Sequence, residues 1–446
     1  MDDSAALLTD LYEFTMVDAY LEEDMHDEAV FSLFVRRLPQ RRNFLLACGL
    51  EDALRYLETL RFTPVQLDYL ASLQLFSDRL LRYLERFRFS GEVCAVPEGT
   101  PLFGEEPILE VVAPLPEAQL VETYLLNQLH LQTLAASKAV RVVEAAAGRS
   151  VMEFGLRRTH GVDAGLKVSR AAFIAGVDAT SNMLAGQRYG IPVAGTMAHS
   201  FVQAHDGELE AFRTFARCFP ETTLLVDTYD TLRGVQHVIR LARELGEGFH
   251  VRAVRLDSGD LLALSRAARQ MLDDAGLQRV KIIGSGNLDE DAIARLVAQK
   301  APIDGFGVGT ALGVSADVPC LDMVYKLVAY AGKDRIKLST SKVLFPGRKQ
   351  VFREEAEGVA RMDVLARHGE QLKGRPLLRP VMRDGKRVEG ASPPLSEIRA
   401  YVRRELERLP PVLRRLEPVS PPYRVEASPV LAWTREQLTE AWEASP

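Results

Sequence analysis

The chain has 446 residues, of which 47% are hydrophobic and 26% charged, a composition that excludes disordered, collagen-like and coiled-coil proteins. With 55 Lys and Arg against 61 Asp and Glu, its net charge of −6 gives no reason to expect broad binding to nucleic acid or to an anionic membrane. No apolar run approaches the roughly 18 residues of a membrane span, and the acidic start, MDDSAALLTDLYEF, is unlike a signal peptide, so we expect a cytoplasmic protein.

The first 116 residues are predicted to form an α+β domain. Helical patterns cover 10–22, 49–60, 64–73 and 76–87. The Pro- and Gly-punctuated stretch SGEVCAVPEGTPLFGEEPILEVVA follows, and its short alternating runs indicate antiparallel β-structure. A long helix at about 117–147 then leads into the next domain.

From about residue 149, short β-branched runs alternate with longer helical patterns, as in repeated βα units. We expect parallel strands at 150–154, 191–196, 222–227, 251–256, 280–284 and 303–308, with 322–329 as a possible addition. The helices between them are expected to include 168–176, 178–188, 231–246 and 259–276. This pattern favours a closed α/β barrel within a domain at 117–342.

The remaining segment, 343–446, carries Gly and Pro turns (FPGRK, GRPLLRP, RDGKRVEG) and a weakly periodic tail from residue 409. We expect it to pack with the N-terminal domain and to form with it a second, smaller α+β domain. Four cysteines stand singly along the chain, at positions 48, 94, 218 and 320. They are predicted to be reduced and mostly buried, without a protein-bound zinc ion.

Residues that directly follow parallel barrel strands converge on one mouth. Here these positions are polar, and they read Gly155-Leu156-Arg157-Arg158, Ala198-His199-Ser200, Asp227-Thr228-Tyr229-Asp230, Arg255-Leu256-Asp257-Ser258-Gly259-Asp260, Gly284-Ser285-Gly286-Asn287 and Gly307-Val308-Gly309-Thr310. Cations, carboxylates, one histidine and two Gly-rich turns would suit a phosphorylated, hydroxyl-bearing ligand with a metal ion.

The two Gly-rich turns follow the last two strands of the series. A single Gly-x-Gly is typical of a tight turn, but two on adjacent strands favour phosphate binding by free backbone N–H groups. The candidate substrate-binding residues in these turns are Ser285, Gly286, Gly309 and Thr310.

Charged side chains at the mouth suggest anion and metal binding. Arg157 and Arg158 are either a solvated pair or include one guanidinium that binds an anion. Arg255 and Asp257 stand at alternate positions, so they either face one ligand together or form a mutual salt bridge. Asp227 and Asp257 could hold Mg²⁺ through water.

Of eight histidines, only His199 is expected at a strand end, with His160 and His205 in nearby loops. A hydrogen-bonded structural role is the alternative for any single histidine. The position of His199 favours a role as acid, base or nucleophile.

The segments LLTDLYEFTM, EFGLRR, GTMAHSF, VDTYDT, RLDSGD, GSGNLD, GFGVGT and LSTSK resemble, in this order, motifs of the nicotinate phosphoribosyltransferase family. The resemblance runs from residue 7 to about 345. It implies a distorted α/β barrel with a smaller flanking domain. It also implies an NAD-salvage reaction in which nicotinate and 5-phosphoribosyl 1-pyrophosphate give nicotinate mononucleotide and pyrophosphate, coupled to ATP hydrolysis.

The resemblance also implies roles for individual residues. His199 would be transiently phosphorylated by ATP, and Phe154 would stack on the pyridine ring together with Tyr12 from the partner subunit of a homodimer. Arg157 and Arg255 would meet phosphate or carboxylate groups. Asp257 would bind the ribose hydroxyls, and Gly286 and Gly309 the 5-phosphate.

Three other enzymatic readings remain open. A nicotinamide phosphoribosyltransferase shares most of these motifs; Thr180, Ser181 and Asn182, near the expected pocket floor, favour nicotinate, whereas Asp178 facing the ring would select the amide. A quinolinate phosphoribosyltransferase would not need a phosphorylatable histidine. A phosphosugar aldolase would need a Schiff-base lysine, and the core strands offer Lys281 at a strand start, away from the mouth. A non-enzymatic scaffold would not need so polar a mouth.

Overall fold

The computed structural model describes residues 5–338 and 344–444. The chain divides into two compact units, the first made of Met1–Ser137 with Cys320–Pro446 and the second of Lys138–Pro319. The predicted division into 1–116, 117–342 and 343–446 stays a prediction. Within the described ranges, no helix has the length and apolar character needed to cross a membrane.

The N-terminal part of the first unit combines helices with antiparallel strands, and the four helices predicted there from periodicity are confirmed. Thr63 and Ser77 begin the third and fourth helices, and each side-chain oxygen accepts a backbone N–H of the first turn. The elements are α1 (Leu11–Glu22), β1 (Glu28–Val35), β2 (Leu45–Leu46), α2 (Leu50–Thr59), α3 (Pro64–Ser72), α4 (Asp78–Glu85), β3 (Glu92–Ala95), β4 (Pro101–Leu102), β5 (Pro107–Pro114) and α5 (Leu115–Leu120).

The second unit is built from βα repeats. A long helix, α6 (Glu122–Ala146), leads into β6 (Ser150–Glu153), α7 (Val162–Ile174), β7 (Ala179–Thr180), α8 (Met183–Tyr189), α9 (His199–Gln203), α10 (Glu208–Cys218), β8 (Thr223–Leu225), α11 (Thr231–Leu245), β9 (Ala253–Leu256), α12 (Leu261–Asp274), β10 (Lys281–Gly284), α13 (Glu290–Ala298), β11 (Gly305–Val308) and α14 (Thr310–Gly313). Six strands pair in parallel in the order β7-β6-β11-β10-β9-β8. The predicted parallel α/β fold in its distorted form is confirmed.

Two details of the predicted barrel are wrong. The segment 191–196 is not a strand; Val193 makes an isolated bridge with Thr180, and Pro192 has no N–H to donate to a ladder. The edge of the sheet is instead formed by β7, which lies within the segment predicted as helix 178–188. The helix of this segment, α8, begins only after Asn182, whose side chain caps it. Within the described ranges β7 and β8 do not pair, so the sheet is open there and not closed.

The C-terminal part of the chain returns to the first unit. Its elements are β12 (Met323–Tyr330), β13 (Lys333–Asp334), β14 (Lys349–Ala356), β15 (Val359–Arg367), β16 (Arg375–Pro376), β17 (Arg379–Arg383), β18 (Lys386–Arg387), α15 (Leu395–Arg408), β19 (Arg424–Ala427) and α16 (Pro429–Glu443). One antiparallel sheet has the order β13-β12-β1-β5-β3-β17-β18, and a second the order β16-β14-β15-β19. The N- and C-terminal segments therefore form a common α+β domain, as predicted.

The expectation that 322–329 extends the parallel sheet is wrong. This run is β12, which pairs antiparallel with β1, Leu33 lying opposite Tyr325. Its apolar, β-branched composition identifies a strand but carries no information about the sheet it joins. The cysteines also differ from expectation, since Cys48 is buried and Cys94 half-buried but Cys218 and Cys320 are exposed.

Candidate active site

The loops that follow the parallel strands contain acidic residues of two kinds. Three of them are helix N-caps whose carboxylates accept backbone N–H bonds at 2.8 to 3.1 Å: Asp230 for α11, Asp260 for α12 and Asp289 for α13. Asp227 and Asp257 cap no helix. The structure thus separates the acids that build the loops from the acids that are available for chemistry.

A cavity of about 330 Å³ opens among these loops in the second unit. It is lined by Phe154, Leu156, Arg157, Ser181, Gly195, Thr196, Met197, Ala198, His199, Leu225, Arg255 and Asp257. Six of these residues were predicted as site residues from the sequence alone: Phe154, Arg157, Ser181, His199, Arg255 and Asp257. An aromatic ring, two guanidiniums, a carboxylate and an imidazole therefore share one cavity.

Arg255 and Asp257 form the polar wall of the cavity. Arg255 Nη2 donates to Asp257 Oδ1 at 2.5 Å and Nε donates to Ser285 Oγ at 2.8 Å. Ser285 Oγ in turn donates to Asp257 Oδ1 at 2.6 Å. Burial opposes ionisation of Asp257, but the Ser285 hydrogen bond and the Arg255 charge outweigh it, so the pKa of Asp257 is lowered. The predicted salt bridge is therefore present, and both of its residues line the same cavity.

Phe154 is held against this wall. The Arg255 guanidinium carbon lies 5.6 Å from the centre of the Phe154 ring, within cation–π range. Gly307 makes room for the ring, because a Cβ at that position would lie 2.6 Å from Phe154 Cε2. The ring is therefore a fixed surface on which a flat ligand could stack.

His199 begins α9, and its side chain is 42% exposed. Its Nδ1 lies 3.1 Å from Thr228 Oγ1, and its Nε2 lies 3.9 Å from Asp257 Oδ2, too far for a hydrogen bond. The imidazole is oriented through one nitrogen while the other stays available. The other candidate histidines do not line this cavity; His205 is paired with the Phe201 carbonyl at 2.8 Å.

Arg157 and Arg158 are both exposed, but only Arg157 lines the cavity. Among the residues that the structure describes, no side chain or backbone group pairs with the Arg157 guanidinium. Arg157 is therefore the cation of the pair that is positioned to meet an anionic ligand.

Asp227 lies beneath the cavity wall and is 9% exposed. Its Oδ2 accepts hydrogen bonds from Asp257 N at 2.9 Å and Ser258 Oγ at 2.6 Å. Its Oδ1 is buried without a hydrogen-bond partner in the described part of the chain. A buried carboxylate oxygen without a partner fits the predicted water-mediated Mg²⁺ contact.

The two Gly-rich turns do not line the cavity, although Ser285 contacts the lining residues Arg255 and Asp257. Gly286 has φ +85°, and a Cβ there would lie 1.7 Å from the Asp257 carbonyl oxygen, so this turn requires glycine for packing alone. Gly309 and Thr310 begin the short helix α14. The substrate-binding role of Ser285, Gly286, Gly309 and Thr310 stays a prediction. Of the LSTSK motif, residues 339–342 lie outside the described residues.

The structure does not bring Thr180 into the cavity. Its hydroxyl is buried and donates to Glu153 Oε2 at 2.6 Å. Glu153, which the sequence reading missed, is 1% exposed and also accepts bonds from Ser169 Oγ at 3.0 Å and from the Gly155 backbone N–H. Its carbonyl accepts the Ser181 N–H at 3.0 Å. One buried glutamate thus holds both the Gly155 turn and the Ser181 loop.

Two further predicted residues lie away from the cavity lining. The Asp178 carboxylate accepts bonds from Ser150 Oγ and Val151 N, both at 3.0 Å, at the amino end of β6 and therefore at the opposite end of that strand from Phe154. Tyr12 belongs to α1 of the first unit and is 43% exposed. Burial and the nearby Glu122 carboxylate raise the Tyr12 pKa, which keeps the phenol neutral. Its predicted contribution to a partner's site stays a prediction.

Three family models match the chain. Residues 7–130 match the nicotinate phosphoribosyltransferase (NAPRTase) N-terminal domain, residues 149–339 the nicotinate phosphoribosyltransferase (NAPRTase) family, and residues 366–435 the nicotinate phosphoribosyltransferase C-terminal domain. The last match covers a segment from which the sequence reading assigned no site residue.

Similar proteins are known from several organisms. Nicotinate phosphoribosyltransferase pncB2 of Mycobacterium tuberculosis is 56% identical over 423 residues, covering 95% of this chain and 91% of that protein. Nicotinate phosphoribosyltransferase of Bacillus subtilis is 45% identical over 388 residues, covering 85% and 79%. The crystal structure of human nicotinic acid phosphoribosyltransferase superposes with a TM-score of 0.84 at 32% identity, covering 97% of this chain and 100% of that chain.

Proposed function

Because this chain belongs to the nicotinate phosphoribosyltransferase family, a family of enzymes, we propose that it joins nicotinate to the ribose of 5-phosphoribosyl 1-pyrophosphate, releases pyrophosphate and drives the reaction with ATP through a phosphohistidine. The product, nicotinate mononucleotide, places the enzyme in NAD salvage. The observation that supports this most directly is the single cavity shared by Phe154, Arg255, Asp257 and His199.

The geometry suits displacement at the anomeric carbon. The pyridine nitrogen forms a bond to C1 of ribose while the bond from C1 to pyrophosphate breaks, through a state in which positive charge develops on the sugar. The protein then needs to hold the ring, orient the sugar and neutralise the leaving group. Phe154 stacks the ring, Asp257 binds the ribose hydroxyls, and Arg157 and Arg255 face the anionic groups. This step requires no acid–base pair.

The position of Asp178 favours nicotinate over nicotinamide. Its carboxylate is engaged by Ser150 and Val151 at the amino end of β6, so it does not face a ring stacked on Phe154. Ser181, a neutral hydroxyl, lines the cavity instead. The Arg157 guanidinium can meet the pyridine carboxylate without competition from that acid.

Mg²⁺ and ATP complete the proposed chemistry. Asp227 through its unpartnered Oδ1, together with Asp257, would hold Mg²⁺. When bound, the ion would neutralise the diphosphate and triphosphate groups of the substrates. The two carboxylates keep their places through Ser258 and Ser285, whose hydroxyls donate to them at 2.6 Å each.

The proposal is tested by offering nicotinate, nicotinamide and quinolinate separately with 5-phosphoribosyl 1-pyrophosphate and measuring pyrophosphate release with and without ATP. We expect pyrophosphate release with nicotinate, stimulated by ATP, and little release with nicotinamide or quinolinate. Preference for nicotinamide or quinolinate would overturn the assignment. Borohydride trapping of a sugar phosphate on Lys281 would instead support an aldolase; Lys281 is exposed at the start of β10.

Subunit mixing tests the proposed homodimer. The exposed apolar side chains Leu8, Leu11 and Tyr12 at the start of α1 support a contact with a second copy. If Tyr12 closes a partner's site, mixing strongly impaired Tyr12→Ala chains with strongly impaired Arg255→Ala chains should restore full activity in about a quarter of the sites, since half of randomly formed dimers are mixed and each holds one intact site. No recovery after verified subunit exchange would mean that each chain builds its own site.

Removing the Glu153 carboxylate should impair catalysis although the group does not line the cavity. Glu153→Ala releases the Gly155 turn, Ser169 and Thr180 from a buried acceptor, and losing such hydrogen bonds costs about 1.5 to 3 kcal/mol. We expect kcat/KM for nicotinate to fall roughly ten- to hundredfold. Glu290→Ala is the matched control, because Glu290 is equally buried and accepts from Lys138 and Arg141 within the same unit.

Both variants should lower the melting temperature, but only Glu153→Ala should lower kcat/KM of the folded enzyme. Equal kcat/KM in the two variants would contradict this prediction and would assign Glu153 a purely structural role.

A further inference from the structure

A second cavity, of about 450 Å³, lies in the first unit along α4 and the end of α1. Four arginines and a histidine line it: Arg79, Arg82, Arg86, Arg88 and His26. Its apolar part comes from Leu21 and Phe87, which are buried, and from the half-buried ring of Tyr83. We propose that this cavity binds a polyphosphate anion, either free or as the tail of a nucleotide, at a site separate from the catalytic cavity.

Three of the arginines lie close enough together to contact one anion at the same time. Arg79, Arg82 and Arg86 are three and four residues apart, so they lie on one face of α4 and its C-terminal cap. Like charges at this spacing repel each other and weaken the helix that carries them. An anion bound between them would remove that repulsion.

The protein neutralises only part of this charge. Across 5–338 and 344–444, the guanidiniums of Arg82 and Arg86 have no hydrogen-bond or ion-pair partner. Arg88 Nη1 donates to the Phe87 carbonyl at 2.5 Å, a neutral acceptor, whereas Arg79 pairs with Asp24, whose side chain is 76% exposed. At least two guanidinium forks are therefore free for a ligand.

The one carboxylate in the lining is already engaged. Glu117 accepts Ser90 N at 2.6 Å and Ser90 Oγ at 2.9 Å. A fifth guanidinium, Arg61, is close enough to sense the cluster, since burial and then the charge of Arg88 lower its pKa. The excess of positive charge is thus concentrated in and beside one cavity.

The shape and charge of the site favour phosphate groups. A planar guanidinium matches the oxygens of a phosphate group bidentately, and several of them together favour an anion with several negative charges. The positive charge is confined to this cavity while the chain carries a net charge of −6, which disfavours an extended nucleic acid as the ligand. The lining residues all belong to the first unit, whereas the catalytic cavity is lined by residues of the second.

The experiment titrates inorganic tripolyphosphate and ATP into the full chain by calorimetry and follows amide hydrogen exchange of residues 78–88 and 253–260 separately. The test variant is Arg82→Gln with Arg86→Gln. The matched control, Arg243→Gln with Arg403→Gln, removes the same charge from exposed positions on α11 and α15. Exchange in 253–260 reports binding to the catalytic cavity, which also attracts polyphosphates.

We expect tripolyphosphate to protect residues 78–88 in the wild type and the control, and the test variant to bind at this site at least tenfold more weakly, with that protection lost. ATP binding tighter than tripolyphosphate would assign a nucleotide, and equal binding a free polyphosphate. Unchanged exchange in 78–88 on adding either anion, or equal weakening in both double variants, would overturn the proposal. Nicotinate-dependent pyrophosphate release, expected within twofold of wild type in the test variant, is a separate readout of the proposed function.

Discussion

Arg255→Ala is expected to lower kcat/KM for the phosphoribosyl transfer by about thirty- to a thousandfold. Losing a charge-assisted contact that acts in the transition state costs roughly 2 to 4 kcal/mol, and each 1.36 kcal/mol is about tenfold in rate. Arg255 faces the cavity, contacts the Phe154 ring and donates to Asp257 and Ser285. Its loss therefore removes a cation for the ligand and also loosens the ring and the carboxylate.

Arg158→Ala is the matched control, because Arg158 is exposed, stands beside the cavity residue Arg157 and does not line the cavity. We expect its kcat/KM to stay within about twofold of wild type, as is usual for a surface side chain without partners. Initial rates at varied substrate concentration, together with melting temperatures, separate lost catalysis from lost folding. Equal small losses at both positions would contradict the assignment of Arg255.

Most of the predicted residues that line the cavity lie at or just after the carboxyl end of a parallel strand. Arg255 and Asp257 at the end of β9 and Phe154 after β6 meet in one cavity because parallel strands deliver their carboxyl ends to the same edge. His199 lies there too, although the strand predicted before it, 191–196, does not form. Its loop reaches the cavity through Gly195 to Ala198, a path that the sequence pattern did not predict.

What the sequence could not supply is pairing. Glu153 looked like an ordinary strand residue, because its partners Ser169 and Thr180 are 16 and 27 positions away and nothing local indicates them. Thr180 was predicted to contact the ligand because it was expected near the pocket floor. In the structure its hydroxyl instead donates a hydrogen bond to Glu153. The same limit explains 322–329, since hydrophobic alternation detects a strand but does not choose between a parallel and an antiparallel neighbour.

Two acidic motifs show a further property that the sequence did not predict, namely the role of their second aspartate. VDTYDT and RLDSGD each contain two aspartates, and the sequence analysis selected the first of each as a candidate metal ligand without assigning a role to the second. In the structure the first of each pair, Asp227 or Asp257, lies in or beneath the cavity wall, and the second is an N-cap. Helix geometry sets the position of the second aspartate, because an N-cap directly precedes the first turn of its helix.

His199→Asn is expected to abolish ATP-dependent phosphorylation of the protein. In the proposed step an imidazole nitrogen attacks the γ-phosphorus of ATP, the bond to the leaving ADP breaks, and the phosphoryl group is later transferred to water. If His199 Nδ1 donates its proton to Thr228 Oγ1 at 3.1 Å, Nε2 carries the lone pair and faces the cavity beside Asp257. The label from radiolabelled ATP should be acid-labile and alkali-stable, as a phosphoramidate is.

The variant should also lose ATP stimulation while it keeps a slow ATP-independent transfer, because the proposed stacking on Phe154 and the proposed charge neutralisation by Arg157 and Arg255 do not use this imidazole. Thr228→Val provides a graded comparison, since it removes only the hydroxyl that orients His199 and should reduce labelling without abolishing it. The measurement is label incorporated per chain together with pyrophosphate release with and without ATP. Label that persists in His199→Asn, or ATP stimulation that survives the substitution, would exclude His199 as the phosphoryl acceptor and leave it as a positioning group for Asp257.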